Sequence, residues 1–182
     1  MKMRAALGAT AAAVLVMTGT ATSGAQAATT CPTGWGSLAE SQPVHSTGSV
    51  TGVRSGRHAC FDRLVVDVAG PASGYDVRYV PVVRADGSGF AVPLRGGADL
   101  QVVVRAPAYD SDTGRATYRP ADRRELAGTS GFRTFRQIAW AGSFEGSTTV
   151  GLGVRARLPF KVMVLPGPGR GSRVVVDVAH RW

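Results

Sequence analysis

The sequence of 182 residues has few of the side chains that bind catalytic metals, since it contains two cysteines and three histidines. A zinc enzyme of the amidase type needs three or four protein ligands around an open coordination position. The histidines His45, His58 and His180 are far apart, and none belongs to an H-E-x-x-H motif. We therefore expect neither a metal nor another cofactor.

Sequence patterns for other kinds of catalysis are also weak. The nearest match to a nucleophile elbow, Gly128-Thr129-Ser130-Gly131, is one residue short of G-x-S-x-G. Asp110–Gly114 begins like a calcium loop, but its glycine stands at the fifth place instead of the sixth and no glutamate follows at the twelfth. Asp67 and Asp177 suggest a glycosidase pair, but their near-identical sequence surroundings favour structural ion pairs with nearby arginines. The sequence therefore indicates a protein that is not an enzyme.

One long apolar run is present, from Ala5 to Thr18, and no later run approaches the length of a membrane span. Lys2 and Arg4 precede it, and Ala25-Gln26-Ala27 follows as an A-x-A cleavage site. A spanning helix needs about 20 apolar residues, so a transmembrane anchor is the weaker alternative. We predict a signal peptide over residues 1–27 and a protein that is secreted, extracellular or associated with the cell wall, without stable insertion in the membrane.

The two cysteines, Cys31 and Cys60, are expected to form a disulfide, because paired thiols persist in the oxidising surroundings of exported proteins. The bond would tie an extended leader, residues 28–49, to the domain that follows over residues 50–182. Lipidation of Cys31 is the alternative, but Ala28 and Thr30 make a poor lipobox. A redox cysteine is not favoured because the C-x-x-C spacing is missing.

Lysine is scarce, although the chain is basic. Lys2 and Lys161 are the only lysines, whereas Lys and Arg together number 21 against 12 acidic residues, for a net charge of +9. Arginine in place of lysine fits a GC-rich genome as well as it fits selection for a function. If the basic charge has a function, it predicts that the protein contacts an envelope polyanion such as a teichoic polymer, carboxylated peptidoglycan or anionic lipid. Nucleic acid is not expected, because basic helices, zinc-finger spacings and RNP-like aromatics are missing.

Helical patterns are poor throughout, and strand patterns recur at short intervals. The same strand is written twice, as Arg63–Ala69 and Arg173–Ala179, with apolar residues alternating around one aspartate. Tyr75–Arg84 and Phe90–Leu94 are predicted to form a hairpin around the turn Ala85–Gly89. We expect an all-β fold, a small β-sandwich of two antiparallel sheets with at most one short helix.

Three further segments complete this prediction. From Thr148 to Arg157, the even positions are mostly apolar and the odd positions include Gly151 and Gly153. One face of this strand should therefore be core and the other exposed to solvent. The glycines make the exposed face a flat strip that a glycan or another backbone can approach. Gly131–Gln137 fits a short helical turn and a strand equally well. Tyr109–Glu125 is rich in turn residues and is predicted to be a long surface excursion.

Several of these segments together resemble the AMIN-like domain of actinobacterial secreted proteins and lipoproteins. The resemblance covers Val50 to His180 and rests on five stretches in this order: Thr51–His58, Phe61–Asp67, Asp86–Gly89, Phe144–Gly146 before Leu152-Gly153, and Val174–His180. It implies a β-sandwich similar to the AMIN domain, which targets cell-wall amidases and secretin-type machines to peptidoglycan. The chain departs from the amidases because no catalytic domain is attached.

We therefore expect a secreted, non-catalytic cell-envelope module that binds peptidoglycan or an associated anionic wall polymer. Arg133, Arg136, Arg155 and Arg157 are the predicted partners of carboxylate or phosphate groups. Trp140 and Phe144 are predicted to stack on sugar faces, although core positions are the simpler assignment for both. The alternative is a protein–protein interaction module of the envelope that adds a partner strand to an exposed sheet edge.

Overall fold

A computed structural model of the chain describes residue 31, residues 34–71 and residues 74–182. These residues form eleven strands and no α-helix. The strands are β1 (Glu40–Gln42), β2 (Ser49–Arg57), β3 (Phe61–Ala69), β4 (Tyr75–Val80), β5 (Val83–Arg84), β6 (Ala91–Val92), β7 (Ala98–Val104), β8 (Phe135–Phe144), β9 (Ser147–Val154), β10 (Phe160–Pro166) and β11 (Ser172–Ala179).

Two large antiparallel sheets enclose one apolar core. Sheet A has the strand order β10-β11-β3-β2, sheet B has the order β1-β4-β7-β9-β8, and β5 and β6 form a separate hairpin. Alternate valines and leucines of both sheets point into the core, because successive side chains of a strand face opposite sides. The largest fully buried side chains are Phe135, Phe160, Leu64, Leu100, Ile138 and Leu152. The predicted β-sandwich is confirmed.

The two look-alike strands are β3 and β11, and they pair directly in the middle of sheet A. The antiparallel register places Val66 opposite Val174, and it places the arginine of each strand opposite the aspartate of the other. Leu64, Val66 and Val68 are buried in the core, as are Val174, Val176 and Val178. The predicted inward faces of both strands are therefore confirmed.

Both aspartates form ion pairs on the outer face of sheet A. Arg63 donates to Asp177 from Nε and Nη2, at 2.6 and 2.7 Å. Arg54 of β2 binds Asp67 in the same bidentate manner, with both distances at 2.7 Å. The structural role that the sequence predicted for these carboxylates is confirmed.

The leader connects to both sheets. Cys31 and Cys60 form the predicted disulfide, with their Cα atoms 5.2 Å apart. Strand β1 extends sheet B by pairing with β4, and Gly36 pairs with Phe160 at the start of β10. The predicted signal peptide and the lipobox positions lie outside the described residues, so those expectations stay predictions.

The predicted solvent face of β9 is wrong, because both faces of the strand are buried. A Cβ atom added to Gly151 would lie 3.1 Å from Leu94 Cδ1, and one added to Gly153 would lie 2.1 Å from the backbone oxygen of Arg95. The chain segment that follows β6 therefore runs directly over the glycine strip. The close approach that glycine permits is used by the protein's own backbone.

The predicted hairpin is partly correct. The turn lies where expected, and Val83–Arg84 pairs with Ala91–Val92, but Tyr75–Val80 is a separate strand that pairs with β1 and β7. Phe135 onward is a strand, and no helical turn lies between Gly131 and Gln137. The excursion over residues 109–125 contains no strand, as predicted; it is irregular apart from an isolated bridge between Tyr109 and Ala116.

The excursion and the residues after it cover the free edge of β8. The Leu126 N–H donates to the Ile138 carbonyl at 2.8 Å, and the Trp140 N–H donates to the Arg123 carbonyl at 2.7 Å. These bonds satisfy edge groups of β8 that a sheet would otherwise present to water or to another chain. The excursion is therefore fixed against the strand that carries Trp140.

Candidate functional site

The six predicted ligand-binding residues do not form one site. Arg136 donates from Nη1 to the carbonyls of Phe132 and Phe135, at 3.3 and 2.9 Å. Arg157 donates to the backbone and hydroxyl of Ser37 and lies over the ring of Tyr79, 5.2 Å from its centroid. Both guanidinium groups are therefore engaged in holding the fold.

The other predicted residues lie in different parts of the molecule. Arg155 donates to the backbone oxygen of His180, and Arg133 is exposed beside a pocket that His180 also lines. Phe144 is 51% exposed and covers Gly87 in the turn between β5 and β6, far along the chain from both arginines. Trp140 lies in a groove of its own.

This groove, called the Trp140 groove below, lies between β8 and the excursion and has a volume of about 760 Å³. The residues that give it its chemical character are Tyr109, Tyr118, Arg119, Arg123, Trp140 and Asp86. The bond between Trp140 N–H and the Arg123 carbonyl fixes one wall against the other. Tyr109 is fixed as well, because its hydroxyl oxygen accepts the Gly146 N–H at 3.2 Å.

Aromatic rings form one side of the groove. Tyr118 and Trp140 are both half-buried, and their ring centroids are 5.6 Å apart with the planes inclined at 55°. Tilted aromatic pairs at this separation attract one another. Burial raises the pKa of the Tyr118 hydroxyl, so this tyrosine stays neutral over a wider pH range.

Two arginines supply the charge of the groove. Arg119 and Arg123 are exposed, and within the described part of the chain neither guanidinium has a hydrogen bond or an ion pair. Because Arg54, Arg63, Arg78 and Arg95 all pair with carboxylates, Arg119 and Arg123 differ from them in having their charge available to a ligand.

Asp86 is the one carboxylate that lines the groove. Its Oδ2 atom is buried and makes no hydrogen bond of standard geometry. Burial raises the pKa of this carboxyl, and the neighbouring Thr149 hydroxyl lowers it to a smaller extent. The protein therefore compensates the charge of Asp86 only weakly. The groove still has two guanidinium groups against one carboxylate, so its net charge is positive.

Another depression lies on the outer side of sheet A, with a volume of about 790 Å³. Arg54 and Arg173 line it together with Arg170. Arg54 is neutralised by Asp67, and Arg173 donates to the Pro166 carbonyl. Of its three arginines, Arg170 alone has a guanidinium group without a hydrogen bond or ion pair among the described residues, and aromatic rings do not line the depression.

Of the groove residues, sequence analysis identified Trp140 and missed Tyr109, Tyr118, Arg119 and Arg123. The missed residues all lie on the excursion, which the sequence predicted only as surface loop. The available signal was composition, because two tyrosines and several arginines occur within a short loop. Periodicity cannot show which strand such a loop covers.

The described residues, residue 31, residues 34–71 and residues 74–182, bear on metal binding and on membrane spanning. Across these ranges, three or more histidine, cysteine, aspartate or glutamate side chains do not come together in a way that could hold a metal ion. The same ranges contain no helix of sufficient length and apolar character to span a membrane.

Comparison with known proteins gives one match. The family model described as the AMIN-like domain matches residues 48–180, which is most of the chain and includes both large sheets apart from β1. Comparisons with curated proteins and with solved structures give no significant match.

Proposed function

Because the chain belongs to the AMIN-like domain family, we propose that it is a non-catalytic module of the cell envelope that binds peptidoglycan or an associated anionic wall polymer. The family supports a place in the envelope, and the Cys31–Cys60 disulfide supports an oxidising compartment outside the cytoplasm. A predicted signal peptide over residues 1–27 agrees with export.

The observation that carries the proposal is the Trp140 groove. Aromatic rings suit the apolar faces of sugar rings, and guanidinium groups bind carboxylates and phosphates through charge-assisted hydrogen bonds. Wall glycans and their attached polymers carry both kinds of group. The groove places Tyr118 and Trp140 beside Arg119 and Arg123, so one bound polymer segment can contact the rings and the cations together.

The proposal keeps Trp140 from the predicted residues and assigns the cationic role to Arg119 and Arg123. Arg136 and Arg157 are less suited to a ligand, because their guanidinium groups already donate to backbone carbonyls. Phe144 lies outside the residues that line the groove. Arg133 and Arg155 lie near a different pocket.

A binding role fits this groove better than a chemical one. A general acid or base must reach the proton that it transfers, and one of the two carboxylate oxygens of Asp86, Oδ2, is buried. The guanidinium groups and tyrosine hydroxyls of the groove donate hydrogen bonds without taking up protons near neutral pH. We therefore infer a module without catalytic activity.

Strand addition at a sheet edge, the alternative that the sequence left open, is less favoured, because other parts of the chain bond to three of the four edge strands and the fourth, β1, has three residues. The excursion covers β8. At β10, the Phe160 N–H donates to Gly36 and the Val162 N–H donates to the Glu40 carboxylate, at 2.8 and 3.2 Å, and Pro166 ends the strand without an N–H. At β2, the Val50 carbonyl accepts the Thr117 hydroxyl at 2.7 Å.

Cosedimentation with purified cell wall tests the proposal. We expect the full chain to pellet with the wall, and Arg119→Gln/Arg123→Gln to weaken the apparent affinity at least about tenfold, since a hydrogen bond to a charged group contributes about 1.5–3 kcal/mol. Trp140→Leu should weaken it as well while keeping an apolar side chain in the groove. Wall with and without its anionic polymers separates the two candidate ligands.

Matched controls separate the groove from general charge. Arg115→Gln/Arg124→Gln removes the same charge from the same excursion but outside the groove lining, and it should bind like the original chain. Phe90→Ala removes an aromatic ring that is 76% exposed elsewhere. If the control pair loses as much affinity as the groove pair, the assignment of the groove fails; if the full chain does not pellet, the binding function fails.

A further inference from the structure

A further pocket lies where β2 and β11 end and β3 begins, and it shares no lining residue with the Trp140 groove. It has a volume of about 380 Å³ and is called the Asp62–His180 pocket below. The residues on which its chemistry depends are Arg57, His58, Asp62, Gly131, Arg133 and His180. Its frame is fixed, because the His180 N–H donates to the carbonyl of the disulfide-bonded Cys60 at 3.0 Å.

Asp62 is buried at the base of this pocket and is saturated with donors from the protein. Its Oδ2 atom accepts the N–H groups of Thr134 and Phe135, at 2.6 and 3.1 Å. Its Oδ1 atom lies 3.0 Å from Nε2 of His180. Because backbone donors and the imidazole occupy its oxygens, Asp62 makes no ion pair with Arg57 or Arg133 among the described residues.

Arg57 reaches the pocket because of a glycine. Its Nη1 atom lies 3.0 Å from the position that a Cβ atom would take at Gly131, whose φ is +73°. A side chain at this position would displace the guanidinium group. Arg133 follows two residues later, is exposed and lines the same pocket. The local backbone therefore brings two cations to one small opening.

Neither Arg57 nor Arg133 uses its guanidinium group within the described part of the chain, where both are without a hydrogen bond or ion pair. His58 stands beside them, stacked on Phe61 with ring centroids 4.4 Å apart. Two cations without protein partners beside a compact pocket make a site for a negatively charged group, since guanidinium groups bind planar or tetrahedral oxyanions through paired donors.

We propose that the Asp62–His180 pocket binds an oxyanion, either a carboxylate or a phosphate, with Arg57 and Arg133 as its ligands. Asp62 and His180 act as positioning residues that hold the wall of the pocket. They do not form a catalytic pair, because the second ring nitrogen of His180, Nδ1, is buried without a partner and is closed to solvent. The site extends the charge-binding surface beyond the groove and does not depend on the groove being correctly assigned.

Titration with inorganic phosphate and, in parallel, with acetate tests this site. The full chain is followed by amide and arginine Nε resonances in nuclear magnetic resonance spectra at constant ionic strength, which holds general screening fixed. We expect saturable shifts at Arg57, Arg133 and His180. Tighter phosphate binding identifies a phosphodiester of an anionic wall polymer as the source, and tighter acetate binding identifies a carboxylate of the wall peptides.

Variants determine whether the two arginines bind the ion. Arg57→Gln and Arg133→Gln should each weaken binding about tenfold, and Arg115→Gln, which removes an exposed charge elsewhere, should leave it unchanged. The absence of saturable shifts with both anions overturns the proposal, as does equal loss in Arg115→Gln. Wall binding by the Trp140 groove is measured separately, so either site can fail while the other stands.

Discussion

The two look-alike strands allow one electrostatic prediction to be tested twice in the same fold. Asp177→Ala removes the partner of Arg63, and Asp67→Ala removes the partner of Arg54. Both pairs are bidentate, with distances of 2.6 to 2.7 Å. They differ in burial, because the Asp177 side chain is 2% exposed and the Asp67 side chain is 24% exposed.

The expected magnitudes follow from that difference. Removing one partner of a buried pair costs about 3–5 kcal/mol, because the remaining charge is left without compensation. The Arg63 side chain is 27% exposed and can partly rehydrate, so Asp177→Ala should cost about 3 kcal/mol, at the lower end. The Arg54 side chain is 57% exposed, and exposed pairs contribute about 0–1 kcal/mol, so Asp67→Ala should cost at most about 1 kcal/mol.

Equilibrium unfolding in urea measures both free energies of unfolding under identical conditions. Hydrogen bonds to Asp177 raise the pKa of the Arg63 guanidinium in the original chain. Arginine stays protonated near neutral pH even without an acidic partner, so Arg63 keeps its charge in the variant and its isolation is what the experiment detects. Arg63→Met/Asp177→Ala should recover part of the loss, because an apolar side chain replaces the stranded charge. Equal costs for the two single variants would refute the reasoning from burial.

Two further predictions concern the packing of β9 and the floor of the groove. Gly153→Ala places a methyl group 2.1 Å from the Arg95 backbone oxygen and should lower the melting temperature by an amount equivalent to about 3 kcal/mol. Gly128→Ala, with open space around it, should change the melting temperature little. Similar melting temperatures for the two variants would contradict the finding that the glycine face of β9 is covered. The pKa of Asp86 is raised by burial, so the folded state favours its protonated form. Relative to Asp86→Asn, the original chain should therefore lose stability in urea unfolding as pH rises through 3.8 and beyond, and a constant difference would contradict this.

The frame of the fold could be predicted from the sequence because it depends on local patterns. Alternation around Val66 and Val176 identifies strands and their inward faces, and those faces are buried as expected. The disulfide could be predicted because two cysteines allow one pairing. The ion pairs of Asp67 and Asp177 were expected from composition, and the register of β3 against β11 supplies their geometry.

The candidate site could be predicted only in part, because it depends on where irregular segments lie. Backbone hydrogen bonds hold the excursion against β8, and such bonds leave no pattern in side-chain identity. For the same reason, the glycines of β9 indicated correctly that something approaches closely but not that it is the segment at Arg95. Trp140 was predicted as an aromatic residue that stacks on sugars, whereas Tyr118 and Arg123 lie on the excursion, which was predicted only as a surface loop.

The central position of β11 also determines when the domain can fold. Strand β11 lies between β10 and β3, so two of the three pairings in sheet A need residues 172–179. These residues follow all the other described strands in the chain, and their pairing with β3 spans most of the domain, a topology that folds slowly. Sheet A therefore cannot close before residues 172–179 have been made. For a protein proposed to be exported, the last described strand thus controls when the sheet that carries both ion pairs is completed.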